Sequence, residues 1–205
     1  MDALFTATSA ASVTGLTVVD TATHWTTFGQ TIIMILIEIG ALGFMSFSVL
    51  LFTATRRQMD LRSKMMVQEV YNLQSLYDTR AVFGYVIKLS IAIQFIGTIL
   101  LAPFFIHDFG WGRRAFYAIF HAISAFGNSG FSILPKNTAE YVNQPFVLAI
   151  IAALVIAGSL GFLVWRDVLL YQKTHRLTLH SKLALVMTGA LIIGGWLLFE
   201  LTERN

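Results

Sequence analysis

Gly15 and Gly130 close two copies of one short pattern, each at a point where an irregular backbone could turn its carbonyl oxygens toward a cation. Residues Phe5 to Val19 read FTATSAASVTGLTVV and residues Phe120 to Leu134 read FHAISAFGNSGFSIL, with Phe, Ala, Ser, Ala and Gly at the same five places. The chemistry such loops can do is ion coordination, in which backbone carbonyls replace part of a hydration shell. Glycine suits that task because it adopts unusual φ without a steric penalty.

The elements that must position these loops repeat as well. Each copy is followed by a long apolar run with its own signature, IEIGALGF at Ile37 to Phe44 and VIAGSLGF at Val155 to Phe162. Asp2 to Ser12 has helical potential and breaks at Val13-Thr14-Gly15. A helix of that size covers about 16 Å, roughly half the hydrocarbon thickness of a bilayer, so it can enter a membrane but not cross it. The polar stretch Asp20 to Thr27 returns the chain to the same side. In the second copy Arg113 to Phe126 is the half-helix, Gly127 to Gly130 the break, and Leu134 to Gln144 the return. Both copies therefore read as re-entrant hairpins. Irregular backbone at membrane depth is tolerated only where protein or a water-filled cavity satisfies it, and the negative C-terminal ends of the half-helices favour a cation at the break.

Composition agrees with a bilayer setting: 56% of the 205 residues are hydrophobic and 12% are charged, too little polar surface to solvate a soluble bundle of such helices. The apolar stretches Phe28 to Thr53, Ala81 to Ile106, Phe146 to Tyr171 and Leu183 to Leu201 are predicted to span. Arg56, Arg57, Arg62, Lys64 and Arg80 fall between the first two, and Arg166, Lys173, Arg176 and Lys182 between the last two. The positive-inside bias puts both loops in the cytoplasm. Topology accounts for the net charge of +3, which calls for no nucleic-acid partner. Cysteine is absent, which excludes disulfides and thiolate metal sites. The five histidines lack metal-ligand spacing, and no nucleophile triad, carboxylate pair or phosphate loop stands out, so an enzyme is not expected.

The loops FTATSAASVTGL and FHAISAFGNSGFS, the segments IEIGALGFM and GSLGFLVWRD, and the link LRSKMMVQEVYNLQSL together resemble the membrane subunit of bacterial Ktr potassium uptake systems, in the Trk/Ktr/HKT superfamily. The resemblance implies an all-α membrane protein built from units of outer helix, pore loop and inner helix around one pathway, of which four complete the family fold. It divides this chain into a first pore loop and inner helix over 1–53, a cytoplasmic link over 54–80, a second unit over 81–171, and a further link and third outer helix over 172–205. By that pattern the first outer helix and the third and fourth pore loops are missing. Met1 then reads as an internal methionine or miscalled start, Asn205 as a truncation or early stop, and the chain as half of a selectivity filter.

The resemblance further implies a filter of Val13, Thr14, Gly15 and Leu16 in the first loop and Asn128, Ser129, Gly130 and Phe131 in the second. These would hold K⁺, or Na⁺, through backbone carbonyls, with no covalent cofactor. It implies a gated potassium uptake pore in the bacterial plasma membrane, a homodimer at full length, and a cytosolic nucleotide-binding regulatory subunit. A sodium-selective or poorly selective relative is the first rival, and a non-functional fragment or assembly piece another. A secondary transporter with broken helices would have inverted rather than same-direction repeats. Glu38, alone in an apolar span, needs a partner or water and is expected to brace the filter by bonding a neighbouring half-helix or loop. Gln94 and Lys88 are weaker cases of the same kind, and Lys88 can snorkel. Gly40, Gly43, Gly158 and Gly161 read as close-packing positions. Leu61 to Leu76 has the spacing of an interfacial helix.

Overall fold

The chain is seen in a computed structural model that describes residues 1–43, 65, 79–106, 111–134, 137–175 and 177–203. Among these residues every regular element is helical. The order is α1 (Asp2–Ala11), α2 (Thr21–His24), α3 (Thr27–Leu42), α4 (Thr79–Leu101), a 3-10 turn at Phe104–Ile106, α5 (Trp111–Phe126), a 3-10 turn at Asn137–Tyr141, α6 (Pro145–Ser159), α7 (Phe162–Thr174) and α8 (Leu179–Thr202). The expected interfacial helix apart from Met65, the link residues Arg56, Arg57, Arg62 and Lys64, and His107, Asp108 and Lys136 lie outside the described residues. Two compact units are present, Met1–Ser159 and Leu160–Asn205.

In the first unit α5 is central, touching α3, α4 and α6, while α1 lies on α3. Its sequence explains this position. Phe116, Phe120 and Ile123 recur at helical spacing and pack with Ala10, Ile33, Ile37, Phe131 and Ile133. Ala118, Ala122 and Ala125 form a second stripe of small residues, packed with Leu101, Phe105, Leu134, Tyr141, Val147 and Leu154. Bulky rings thus fill the space toward α3, and alanines let α4 and α6 approach closely. Gly97 of α4 serves the same end, because a Cβ there would strike the Leu154 side chain of α6.

Local capping sets the other boundaries. The Thr26 side chain accepts from Gly29 N–H at the start of α3, and Asp20 accepts from Ala22 N–H at the start of α2. Gln30 donates its amide to the carbonyls of Thr21, Ala22 and Trp25, which ties α2 back onto α3. In the second unit α7 and α8 form a hairpin. Asp167 Oδ2 accepts from Thr178 N at 3.2 Å, Thr178 Oγ1 at 2.5 Å and Ser181 Oγ at 2.6 Å, so one carboxylate holds the N-terminus of α8.

The spans differ from expectation in an informative way. Gly84–Leu101 and Leu179–Thr202 are long and apolar enough to cross a membrane. The continuous Phe146 to Tyr171 span is corrected: α6 stops at Ser159, Gly161 takes φ 77° and ψ 155°, and α7 starts at Phe162. α3 likewise ends at Leu42 with Gly43 at φ 79° and ψ 150°, and residues 44–53 of the expected first span lie outside the described residues. Gly43 and Gly161 are the last glycines of the repeated IGALGF and AGSLGF signatures. That region of φ and ψ belongs essentially to glycine, and an apolar run shows no trace of it in hydropathy.

Gly43 and Gly161 are therefore not the close-packing positions expected, since a Cβ on either meets open space, whereas the other repeated glycine is one. A Cβ on Gly40 would overlap the carbonyl oxygen of Ala11, and one on Gly158 would overlap that of Phe126. Ala11 and Phe126 are the last residues of the two half-helices, α1 and α5. Gly158→Ala is expected to destabilise the protein by about 1–3 kcal/mol, the usual cost of overpacking. Gly84→Ala, where a Cβ meets open space, is expected to be neutral or slightly stabilising. Thermal unfolding of the two variants in detergent checks the contrast.

Candidate functional site

Each half-helix ends in the same hydrogen-bonded cap. In the first, Ser12 N–H bonds to Thr8 O, Val13 N–H to Ala10 O at 3.2 Å and Thr14 N–H to Ser9 O at 3.0 Å; in the second, Gly127 N–H bonds to Ile123 O, Asn128 N–H to Ala125 O at 3.1 Å and Ser129 N–H to Ser124 O at 3.0 Å. The pair of bonds spanning three and five residues is a Schellman cap, which requires a left-handed residue just past the helix. Val13 and Asn128 fill that place at φ 56° and 58°. Asn tolerates it, whereas a β-branched Val there is strained. Gly15 and Gly130 then take φ 70° and 74°, so both loops alternate left-handed residues in the same order.

The hydroxyls next to the glycines brace this turn. Thr14 Oγ1 lies 2.9 Å from Ser9 Oγ, and Ser129 Oγ lies 2.8 Å from Ser124 Oγ. Ser9 and Ser124 occupy one of the five matched places, so the repeat itself contains the signal for this pair. The copies part at the next bond. Ser124 Oγ also donates to Phe131 O at 2.5 Å, which ties the outgoing strand to α5. The Phe131 side chain is buried and so is Ile133, while their counterparts Leu16 and Val18 are 62% and 59% exposed. The residues leaving the first glycine are thus exposed where those leaving the second are buried.

The two loops meet at their glycines. A Cβ on Gly15 would overlap the Ser129 carbonyl oxygen and lie 3.3 Å from Gly130 Cα, and a Cβ on Gly130 would lie 3.8 Å from Gly15 Cα. Of the eight expected residues, the structure therefore brings Gly15, Ser129 and Gly130 into direct proximity. Val13 and Asn128 stand one turn back against α3 and α6: the Val13 Cγ2 atom crowds Gly40, and Asn128 Oδ1 accepts from Ser159 Oγ at 3.3 Å. Gly127 packs on Ile37 and Ala41 of α3. No cluster of His, Asp or Glu side chains that could hold a metal ion occurs among the described residues.

Glu38 is half-buried on α3 and has a partner, though not on a half-helix or loop. Its Oε2 accepts from Gln94 Nε2 at 2.7 Å, and the same amide nitrogen donates to Ser90 Oγ at 3.3 Å. Two residues read separately in the sequence thus form one bond between α3 and α4. Lys88 is exposed, in keeping with a snorkelling side chain.

One residue appears in the sequence only as one of five histidines without metal-ligand spacing. His121 of α5 is 4% exposed, with Nδ1 2.8 Å from Tyr117 O and Nε2 3.0 Å from Ser132 Oγ. It replaces Thr6 of the first copy, so the repeat gave no hint of it.

Residues 1–201 match the TrkH family, described as a cation transport protein. The chain is 44% identical over its whole length to the potassium/sodium uptake protein NtpJ of Enterococcus hirae, covering 46% of that protein. It is 43% identical over 94% of its length to the Ktr system potassium uptake protein B of Bacillus subtilis, covering 43% of it. The protein of the same name from Vibrio alginolyticus is 38% identical over the whole chain, which covers 45% of it. The chain spans less than half the length of each of these relatives.

The two glycines differ in what a side chain would meet, which separates their variants. Gly130→Ala is expected to cost about 1–2 kcal/mol, the penalty of a left-handed backbone. Gly15→Ala adds a clash with the Ser129 carbonyl and is expected to exceed that by about 1 kcal/mol or more. Thermal unfolding of the two purified variants measures the difference.

Proposed function

Because the chain belongs to the TrkH family of cation transport proteins over residues 1–201, we propose that it forms part of the translocating subunit of a Trk/Ktr-type system, a gated pore for potassium uptake. The observation that carries this reading is the meeting of two hairpins of identical cap geometry at Gly15 and Gly130. Carbonyls of Val13, Thr14, Gly15 and Leu16, and of Asn128, Ser129 and Gly130, line the ion path. Phe131, whose carbonyl already accepts from Ser124, contributes mainly as the anchor of its strand. Glu38 supports the filter indirectly, by fixing α3 to α4 through Gln94.

The protein acts in the plasma membrane of a bacterium as a multi-pass subunit and catalyses no covalent reaction. The first pore loop and inner helix occupy 1–53, the cytoplasmic link 54–80, the second unit 81–171, and the next link and outer helix 172–205. Two copies of the full-length subunit pair, and a cytosolic nucleotide-binding subunit docks on the basic links. The name of the Enterococcus hirae relative includes sodium, which supports a second reading as a sodium-permeable carrier of the same type.

The test uses the full-length protein that contains this chain. Gly130→Val is expected to abolish K⁺ uptake or to lower the K⁺ over Na⁺ preference by about tenfold, since about 1–2 kcal/mol of backbone strain falls on the filter itself. Membrane insertion follows the apolar spans and is expected to persist. Flux into proteoliposomes and reversal potentials report both quantities; an unchanged preference in a normally inserted variant counts against the filter, and a wild-type protein that prefers Na⁺ selects the second reading.

A further inference from the structure

The first and second hairpins share their caps but not the way the outgoing strand is held. In the second, a directed chain of hydrogen bonds crosses from the half-helix to the strand. Tyr117 O can only accept, so His121 Nδ1 carries the ring proton and donates to it at 2.8 Å. Nε2 is then an acceptor, and Ser132 Oγ donates to it at 3.0 Å. Ser132 Oγ in turn accepts from Leu134 N–H at 3.1 Å. The imidazole is fixed from its sides by Phe105, Tyr117 and Phe120, with ring centroids 5.5, 6.4 and 5.7 Å away. A buried residue with both ring nitrogens bonded and three aromatic neighbours has one orientation available to it.

What lies beside this bond explains why it would be needed. A cavity of about 290 Å³ is lined by His121, Ser124, Asn128, Gly130 and Ser132 together with Val155 of α6. It borders the same loop that Gly130 turns, so space is available into which residues 128–132 could shift. The first hairpin lacks the corresponding tie: Thr6 stands in place of His121, and its buried Oγ1 has no hydrogen-bond partner.

We propose that His121 is the positioning residue of the second loop, which through Ser132 holds the strand after Gly130 out of the adjoining cavity and so sets how strictly the pore distinguishes K⁺ from Na⁺. The inference rests on the transport reading above, and its tests separate the two. Without the bond from Ser132, the remaining anchors among the described residues are Ser124 and the burial of Phe131, Ile133 and Leu134. Small displacements of the Gly130 carbonyl then become available, and a site that must fit one ion size accepts a range.

The experiment compares His121→Leu, Ser132→Ala, the double variant and His121→Gln in the full-length protein that contains this chain. Gln can donate to Tyr117 O and accept from Ser132 Oγ. Reversal potentials in mixed K⁺ and Na⁺ solutions give the selectivity ratio, and membrane abundance is followed in parallel. His121→Leu and Ser132→Ala are each expected to lower the ratio by about five- to tenfold, the effect of one lost net hydrogen bond. The double variant is expected to be no worse than either, and His121→Gln to restore most of the ratio. Loss of flux with an unchanged ratio in Ser132→Ala, the smallest change, overturns the proposal and leaves a structural histidine. A wild-type protein without cation selectivity overturns the transport reading instead. Independently of transport, the ¹⁵N shifts of His121 are expected to show the Nδ1–H tautomer, and an Nε2–H tautomer overturns the bond chain itself.

Discussion

A helix that ends at membrane depth leaves C-terminal carbonyls that protein or a water-filled cavity must satisfy. Most of the first compact unit follows from that constraint. The cap bonds of Val13 and Thr14, and of Asn128 and Ser129, use the penultimate carbonyls. The final ones, on Ala11 and Phe126, press against Gly40 and Gly158, where a methyl group would not fit. α3 and α6 therefore each need a glycine at that height, and each loop needs a left-handed residue immediately after its helix. The repeated signatures carry both requirements.

Satisfying the helix end this way leaves the next few residues free of helical bonds. At Gly15 and Gly130 the backbone has positive φ and the loops come within van der Waals reach of one another. Strain at Val13 belongs to the same economy of geometry, because a strained residue persists only where its surroundings over-determine it. Its N–H is bonded to Ala10 O and its side chain is wedged against Gly40. The loop geometry is thus a by-product of how the two helices end, held in place by the helices that follow them.

The copies are not equivalent, and the differences have direction. The second loop is tied by Ser124 to Phe131, by His121 to Ser132, and by burial of Phe131 and Ile133. Among the described residues, the first has the hydroxyl pair but no such tie to its outgoing residues, with Leu16 and Val18 exposed. Elsewhere exposure has a simpler meaning. On α8 apolar side chains such as Leu191, Ile193, Trp196 and Phe199 are exposed around the helix, as suits a span whose solvent is lipid.

Much of this protein was legible in its residues because the relevant physics is local. The half-helices end within a residue or so of where small and glycine residues predict, since propensity and the left-handed cap are short-range properties. Membership of a cation transport family was equally legible, carried by the order of the repeated segments. Three features were decided only in three dimensions. The positive φ at Gly43 and Gly161 is a backbone conformation that an apolar run does not encode. The partner of Glu38 is Gln94, 56 residues away, and no periodicity links two polar residues on different helices. The bond from His121 to Ser132 has no counterpart in the first copy, so comparing the repeats concealed it. A repeat reveals what two segments share, and what tells them apart is set by the neighbours each one meets after folding.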